Sequence, residues 1–308
     1  MEKLRLMELF AGYGGASFAL KKAGIEFETV GYSEIDKYAI QCYNQNHSNY
    51  IGADLMLARP NDIKNFGDCT KINPETIPDF DLLTGGFPCQ TFSTAGKGLG
   101  ELDTRGTLFH DIIRIAEVKQ PKYMLLENVK RLTNKNHEDT FNKILGELDR
   151  IGYIVKWEVL KSKEYGTPQK RERVFFMCQR KDITTIVNFP KKSNIIVPFI
   201  NVMEKEVPGK YLLSERAKLG VTKSNYMDRK PFNINEPINT LKIGGDVKNF
   251  KPSWEEWRRV TPKESFRCMG FFNDEINLEG LSDTQKYKLA SNGWDINLVS
   301  KIFKEMFK

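Results

Sequence analysis

The residues best able to do chemistry in this 308-residue chain are a cysteine, a glutamate and two arginines, each beside a short apolar run. Cys89 stands in Gly85-Gly86-Phe87-Pro88-Cys89-Gln90, on a Gly/Pro-shaped turn straight after the stretch 81–84. A structural cysteine belongs inside a strand, whereas a thiol on such a turn lies where α/β enzymes bind ligands. To act as a nucleophile it needs local activation, because an ordinary thiol of pKa about 8.5 is only slightly ionised at neutral pH. Glu127, in Glu127-Asn128-Val129, ends the apolar run after Pro121 and offers a carboxyl group for general acid work. Gln169-Lys170-Arg171-Glu172-Arg173 leads into Val174–Cys178, and strand alternation puts Arg171 and Arg173 on one side. Taken singly these signals are weak: most isolated cysteines are inert small hydrophobes, and a charged run is ordinarily a solvated edge.

A second group has the chemistry of a nucleoside pocket. Phe10-Ala11-Gly12-Tyr13-Gly14-Gly15 follows an apolar run and opens a helix, where glycines let the backbone turn sharply and a ligand approach. Ser17 takes the third glycine position of the dinucleotide pattern, so a pyrophosphate cradle is not indicated. Glu34 ends the next apolar run, where an acid can accept both hydroxyls of a ribose, and Asp68 in Phe66-Gly67-Asp68-Cys69 can accept from an adenine amino group. Ordinary turn glycines and surface carboxylates remain the alternative for each part alone. Their order, glycine turn, strand-end acid, loop acid, is the one a nucleoside lying across a topological switch point requires.

The elements that must position these residues follow from periodicity. Apolar runs at Leu4–Phe10, Phe27–Tyr32, Asp81–Thr84, Tyr123–Leu126, Val155–Leu160 and Val174–Cys178 alternate with amphipathic stretches, which predicts a parallel sheet wrapped by helices. Phe141, Ile144, Leu145, Leu148 and Ile151 recur at helical spacing ahead of Gly152, a core-facing helix with a glycine stop. From Lys181 to Arg258 the alternation is lost and Pro, Asn and Lys increase, so a second, irregular unit is expected there. Ile296, Val299, Ile302, Phe303 and Met306 share one face of a C-terminal helix expected to return to the first domain.

Composition narrows the class. A net charge of +7 suits a polyanionic partner without requiring one. Five cysteines, odd in number and without a CxxC pair, and only three histidines argue against a disulfide framework and a metal site. No stretch approaches the roughly 20 apolar residues of a membrane span. Glu2, Arg5 and Glu8 interrupt the N-terminal run, which reads as a strand and not as a signal peptide, so a cytoplasmic protein is expected.

Five motifs then combine. FAGYGG at Phe10, GFPCQ at Gly86, ENV at Glu127, QKRER at Gln169 and RVTPKESFRCMGF at Arg259 stand in an order and spacing that resemble the DNA (cytosine-5) methyltransferase family, in its bacterial or phage restriction-modification form. The resemblance covers nearly the whole chain except the irregular segment. It implies an α/β fold, a Rossmann-like S-adenosylmethionine-dependent methyltransferase domain at 1–185, a target-recognition domain at 186–262, and a return to the catalytic domain at 263–308. It also implies that Cys89 adds to carbon 6 of a cytosine while Glu127 hydrogen-bonds or protonates ring nitrogen 3. Arg173 would hold the cytosine carbonyl oxygen, with Arg171 close to it or to a phosphate. Phe10, Ala11, Gly12, Tyr13, Gly14, Gly15, Glu34, Ile35, Asp68, Cys69, Pro88 and Asn292 would line the pocket of S-adenosylmethionine and its product S-adenosylhomocysteine.

Because carbon 6 is inaccessible inside a duplex, the base must be flipped out, and Cys89 to Phe109, with Gly96, Gly98, Gly100 and Gly106, matches the family's closing loop. Ser93 and Lys97 there, Arg171, and Thr240 in Thr240-Leu241 would contact double-stranded DNA; Arg259, Thr261, Glu264 and Arg267 would organise the recognition domain. A monomer is expected, and a cognate restriction endonuclease is left open. Two departures stand out. Ser291-Asn292-Gly293-Trp294 replaces the family's Gly-Asn-Ser/Ala-Val, and Ile35 stands where many members place an aromatic residue against adenine.

Three other readings compete. A tRNA cytosine-5 methyltransferase would carry a Cys-Phe-Thr element, yet no cysteine lies between Lys181 and Arg267. A non-enzymatic DNA-binding relative would be expected to have lost the thiol or the glutamate. A nicotinamide dehydrogenase would leave the motifs unexplained.

Overall fold

The structure, a computed structural model, describes residues 3–47, 63–87, 108–185, 187–193, 195–223, 232–241, 249–250 and 257–308. The chain divides into two compact units. Unit one comprises Met1–Leu160, Glu172–Pro190 and Ser300–Lys308, and unit two Lys161–Arg171 and Lys191–Val299.

Unit one is an α/β sheet domain. Its elements are β1 (Leu4–Leu9), α1 (Gly15–Ala23), β2 (Phe27–Ser33), α2 (Lys37–His47), β3 (Leu82–Gly86), α3 (Leu108–Lys119), β4 (Tyr123–Val129), α4 (Glu138–Arg150), β5 (Tyr153–Lys161) and β6 (Glu172–Arg180). The strands line up as β2-β1-β3-β4-β6-β5. Leu6, Met7, Leu82, Leu83, Met124, Leu125 and Leu126 are fully buried, so consecutive side chains on opposite faces both lie in the core. Parallel strands covered by helices on both faces have that continuous apolar composition. In α4, Phe141, Ile144 and Leu148 are buried at the spacing that the sequence predicts.

Strands β1, β2, β3 and β4 are parallel, whereas β6 runs antiparallel to β4, with Glu127 opposite Phe175 and Val129 opposite Arg173. The expectation of a parallel sheet therefore holds for four strands and fails at β6. An apolar run records burial on both faces and carries no information about direction. The reversal matters for the site, because it brings the start of β6 beside the carboxyl end of β4. The carboxyl ends of β2, β1, β3 and β4 meet at the same edge, and β1 lies between β2 and β3, where an open α/β sheet leaves its ligand crevice.

Unit two has less regular structure, as the loss of alternation predicts. Its core gathers Phe199, Val202, Ile238, Val260 and Cys268. The helices are α5 (Glu215–Lys223), α6 (Pro262–Arg267) and α7 (Asp283–Asn292), and Asn249–Phe250 (β7) pairs with Arg258–Arg259 (β8). Reciprocal side-chain caps start α6 (Thr261 with Glu264) and α7 (Ser282 with Gln285). Of the adjacent pair Arg258 and Arg259, the first is buried: its guanidinium meets the fully buried Glu264 carboxylate at 2.6 Å, while Arg259 is exposed. Arg267 pairs with Asp274 at 2.7 Å. The last helix, α8 (Ile296–Met306), ends in unit one, where Phe307 just beyond it sets its ring edge-on to Tyr123 at 5.3 Å. Among the described residues no helix is long and apolar enough to cross a membrane.

Candidate active site

The glycine turn leaves β1 in a conformation that few residue types tolerate. Phe10, Gly12 and Gly14 have φ of 53°, 58° and 82°, and Gly14 caps the start of α1. A Cβ at Gly14 would overlap the His47 ring, coming within 2.5 Å of Cδ2, and would sit 3.0 Å from Tyr43 Cε2. At Gly12 nothing lies within 4 Å of where a Cβ would stand, so one side of the turn is open.

The turn rests on a buried polar group that the sequence analysis did not single out. Glu8, in β1, accepts from the Ala16 amide at 3.2 Å, the Ser17 hydroxyl at 2.5 Å and the Tyr43 hydroxyl at 2.9 Å. Burial pushes its pKa up to about 6, against the opposing pull of these donors. His47 Nε2 lies 2.9 Å from the Tyr13 carbonyl oxygen, and burial lowers its pKa to about 4. The ring is therefore neutral and donates from Nε2 to that oxygen. Glu8 was visible only as the one acid among Leu4, Leu6, Met7 and Leu9; no sequence signal marks Tyr43 as its partner or His47 as the partner of Tyr13.

At the end of β2, Glu34 faces the turn. Its Oε2 accepts from the Gly12 amide at 2.9 Å, and Oε1 from the amides of Ile35 and Asp36 at 2.8 and 2.9 Å. A carboxylate offers about four acceptor positions, so capacity for a further donor remains. Ile35 beside it is 74% exposed, a large apolar side chain with no use in the core. Gly67, at φ 70°, precedes Asp68, whose carboxyl is held below the usual carboxylate range by donors on Thr70 and is therefore an ionised acceptor. The Cys69 side chain differs from its expected role as a pocket wall. It lies in the main hydrophobic cluster, with burial pushing its pKa up to about 12, which leaves only backbone atoms for a ligand.

At the end of β4, Glu127 is 8% exposed and its Oε1 lies 2.8 Å from Arg173 Nε. The antiparallel register explains the meeting, since Arg173 pairs with Val129, two residues beyond Glu127 on the same face. Asn128 turns the other way and donates to the Phe87 carbonyl at 3.0 Å, which anchors the chain leaving β3 two residues before Cys89. Pro88, Cys89, Ser93 and Lys97 lie outside the described residues.

In unit two, Arg171 precedes the start of β6, so strand alternation does not reach it. It is 3% exposed and donates to the carbonyls of Ser291 and Gly293 at 3.0 and 2.9 Å, in contrast to the expected contact with a base or phosphate. Those carbonyls flank Asn292, whose side chain is exposed at the end of α7. Gln169, fully buried, donates to the Cys268 carbonyl at 2.7 Å and accepts from the Leu241 amide at 3.1 Å; Thr240 donates to the Lys170 carbonyl at 3.2 Å. The structure thus gathers Phe10–Gly15, Glu34, Ile35, Asp68, Glu127 and Arg173 in unit one, with Arg171, Thr240 and Asn292 in unit two.

One sheet edge of unit one carries an open glycine turn, the carboxylates of Glu34 and Asp68 and the largely buried Glu127–Arg173 ion pair, and comparison with known proteins gives the chain a family. The profile described as C-5 cytosine-specific DNA methylase matches residues 4–235. The Type II methyltransferase M1.ScrFI of Lactococcus lactis subsp. cremoris is 35% identical, over 99% of this chain and 78% of its own. The Type II methyltransferase M.HaeII of Haemophilus aegyptius is 35% identical over 98% and 92%. A crystal structure of a Spodoptera frugiperda DNMT2 mutant superposes with a TM-score of 0.80, at 20% identity, covering 99% of this chain and all of that one, a likeness of fold. The chain belongs to the C-5 cytosine-specific DNA methylase family. Its activity is that of a DNA (cytosine-5) methyltransferase, and the family implies S-adenosylmethionine as methyl donor.

Proposed function

We propose that Cys89 is the nucleophile of this reaction, acting on a cytosine turned out of double-stranded DNA at one short sequence. The observation that carries the reading is the nearly buried Glu127–Arg173 pair at the carboxyl end of β4, one ladder step from the strand that leads to Cys89. The Cys89 thiolate adds to carbon 6, forming an S–C bond. The displaced electron pair moves toward ring nitrogen 3, where the Glu127 carboxyl holds or supplies a proton. Arg173 orients that carboxyl and donates to the carbonyl oxygen at carbon 2, and carbon 5 becomes an enamine carbon able to attack an electrophile. Once carbon 5 has been methylated, a base takes its proton, the S–C electron pair leaves with Cys89 as thiolate, and ring nitrogen 3 gives its proton back to the Glu127 carboxylate, which restores the aromatic ring and the free enzyme.

S-adenosylmethionine, when bound, supplies the electrophilic methyl carbon. The residues present fit it: Gly12 is open where a Cβ would stand, Glu34 and Asp68 are acceptors for ribose hydroxyls and the adenine amino group, and exposed Ile35 offers an apolar face. Phe10 to Gly15 supply the backbone, Pro88 a wall, and Asn292 a polar contact whose flanks Arg171 holds. Arg171 is thus read as a positioning residue. Ser93, Lys97 and Thr240 contact DNA, residues 186–262 read the bases around the target, and 263–308 are a hinge followed by the C-terminal helix, which ends in the catalytic unit. The enzyme acts as a monomer in the cytoplasm, as a methyltransferase of the restriction-modification type.

DNA carrying 5-fluorocytosine tests the nucleophile, because fluorine at carbon 5 leaves no proton to remove after methyl transfer. With S-adenosylmethionine the protein should form a denaturation-resistant complex with such DNA, and Cys89→Ala should form none. A stable complex with Cys89→Ala would reject the assignment.

A further inference from the structure

We propose that Asn65 is a positioning residue for the methyl donor, fixing Glu34 and Asp68 in the relative placement that a nucleoside needs; this rests on the reading of those two acids as its acceptors. Asn65 lies in the segment before Gly67 and matches none of the recognised motifs. Its side-chain amide makes three main-chain hydrogen bonds. Oδ1 accepts from the Glu34 amide at 3.2 Å and the Gly67 amide at 2.9 Å, and Nδ2 donates to the Glu34 carbonyl at 3.1 Å. The two bonds to Glu34 copy a strand pair. They continue, past the end of β2, the bridge that the Asn65 backbone makes with Tyr32.

The third bond sets the orientation of the peptide entering Gly67, whose positive φ aims Asp68. Ser33 braces the same turn by donating to the Gly67 carbonyl at 2.6 Å. Beyond Asp68, Arg114 from α3 holds the carbonyls of Cys69 and Ile72 at 2.9 and 2.6 Å, so the far side of the loop is fixed independently. Asn65 is the one described side chain that bonds directly to both acid-bearing turns. An asparagine supplies the acceptor and the donor together, which neither aspartate nor alanine does.

The test is calorimetric titration of the full chain with S-adenosylhomocysteine. Asn65→Ala should weaken binding by about tenfold or more, and Asn65→Asp, which keeps the shape but loses the donor to the Glu34 carbonyl, should also weaken it. Because the effect runs through the two acids, Asn65→Ala should cost less than about twofold once Glu34→Gln and Asp68→Asn are present. In turnover, KM for S-adenosylmethionine should rise more than kcat falls. Normal affinity in both Asn65 variants, or losses that multiply in the combined variant, would overturn the proposal while leaving the acids' role intact. Normal affinity in Glu34→Gln and Asp68→Asn would overturn the cofactor reading and the Asn65 proposal together.

Discussion

Alanine at Gly14 separates two costs that a glycine turn usually confounds. At Gly12 and Gly14 alike, φ is positive, and a Cβ there costs about 1–2 kcal/mol. Only at Gly14 does the added carbon also collide with the His47 ring, at 2.5 Å from Cδ2, and press on Tyr43 at 3.0 Å. Both neighbours are held, Tyr43 by its bond to Glu8 and His47 by its bond to the Tyr13 carbonyl, so neither can simply swing away. Overpacking of this kind adds about 1–3 kcal/mol. Gly14→Ala should therefore destabilise by about 2–5 kcal/mol and Gly12→Ala by about 1–2 kcal/mol, measured by denaturant unfolding. Removing the ring should recover the difference, so that Gly14→Ala in a His47→Ala background costs about as much as Gly12→Ala. Equal losses for the two glycines, or no recovery with His47→Ala, would refute the claim that His47 dictates the glycine.

Other expected outcomes concern charge. Arg173→Ala leaves Glu127 buried without its cation and should cost about 3–5 kcal/mol in denaturant unfolding, with methylation lost; Arg173→Lys should restore more stability than activity. Removing Arg171 with Arg171→Ala frees the carbonyls flanking Asn292 and should raise KM for S-adenosylmethionine more than it lowers kcat, read from initial rates. Glu8 and His47 oppose one another in acid. Raising Glu8 from its ordinary 4.5 to about 6 makes the folded state bind more protons across that window, so this group's contribution, about 2 kcal/mol, is present below pH 4.5 and lost as pH rises through 6. Lowering His47 from 6.5 to about 4 does the reverse, with about 3 kcal/mol present above pH 6.5 and lost as pH falls toward 4. Between pH 7 and 4.5, unfolding free energies should fall more steeply for Glu8→Gln than for the unaltered protein, and less steeply for His47→Gln.

What the sequence disclosed depended on whether a signal was local. Strands β1 to β4, the glycine turn and the acid at each strand end follow from apolar runs and their termini, which a linear reading captures. The reversal of β6 does not, because Val174 to Cys178 has the same composition in either direction. Reading Arg171 and Arg173 as one pair required a strand that in fact starts at Glu172. Arg258 was passed over for its neighbour Arg259, since only burial distinguishes them. Apart from the Asn65–Gly67 bond, Glu8, Asn65 and His47 act through partners 8 to 35 residues away, and no spacing rule connects such partners before the fold is known.

We propose that this chain methylates carbon 5 of cytosine in DNA through Cys89. The most direct measurement incubates the protein and its Cys89→Ala variant with S-adenosylmethionine and unmethylated genomic DNA, then quantifies and maps 5-methylcytosine. The unaltered protein should produce 5-methylcytosine within one short sequence, and the variant none. Equal methylation by both, or none by the unaltered protein while S-adenosylhomocysteine still binds, would contradict the proposal.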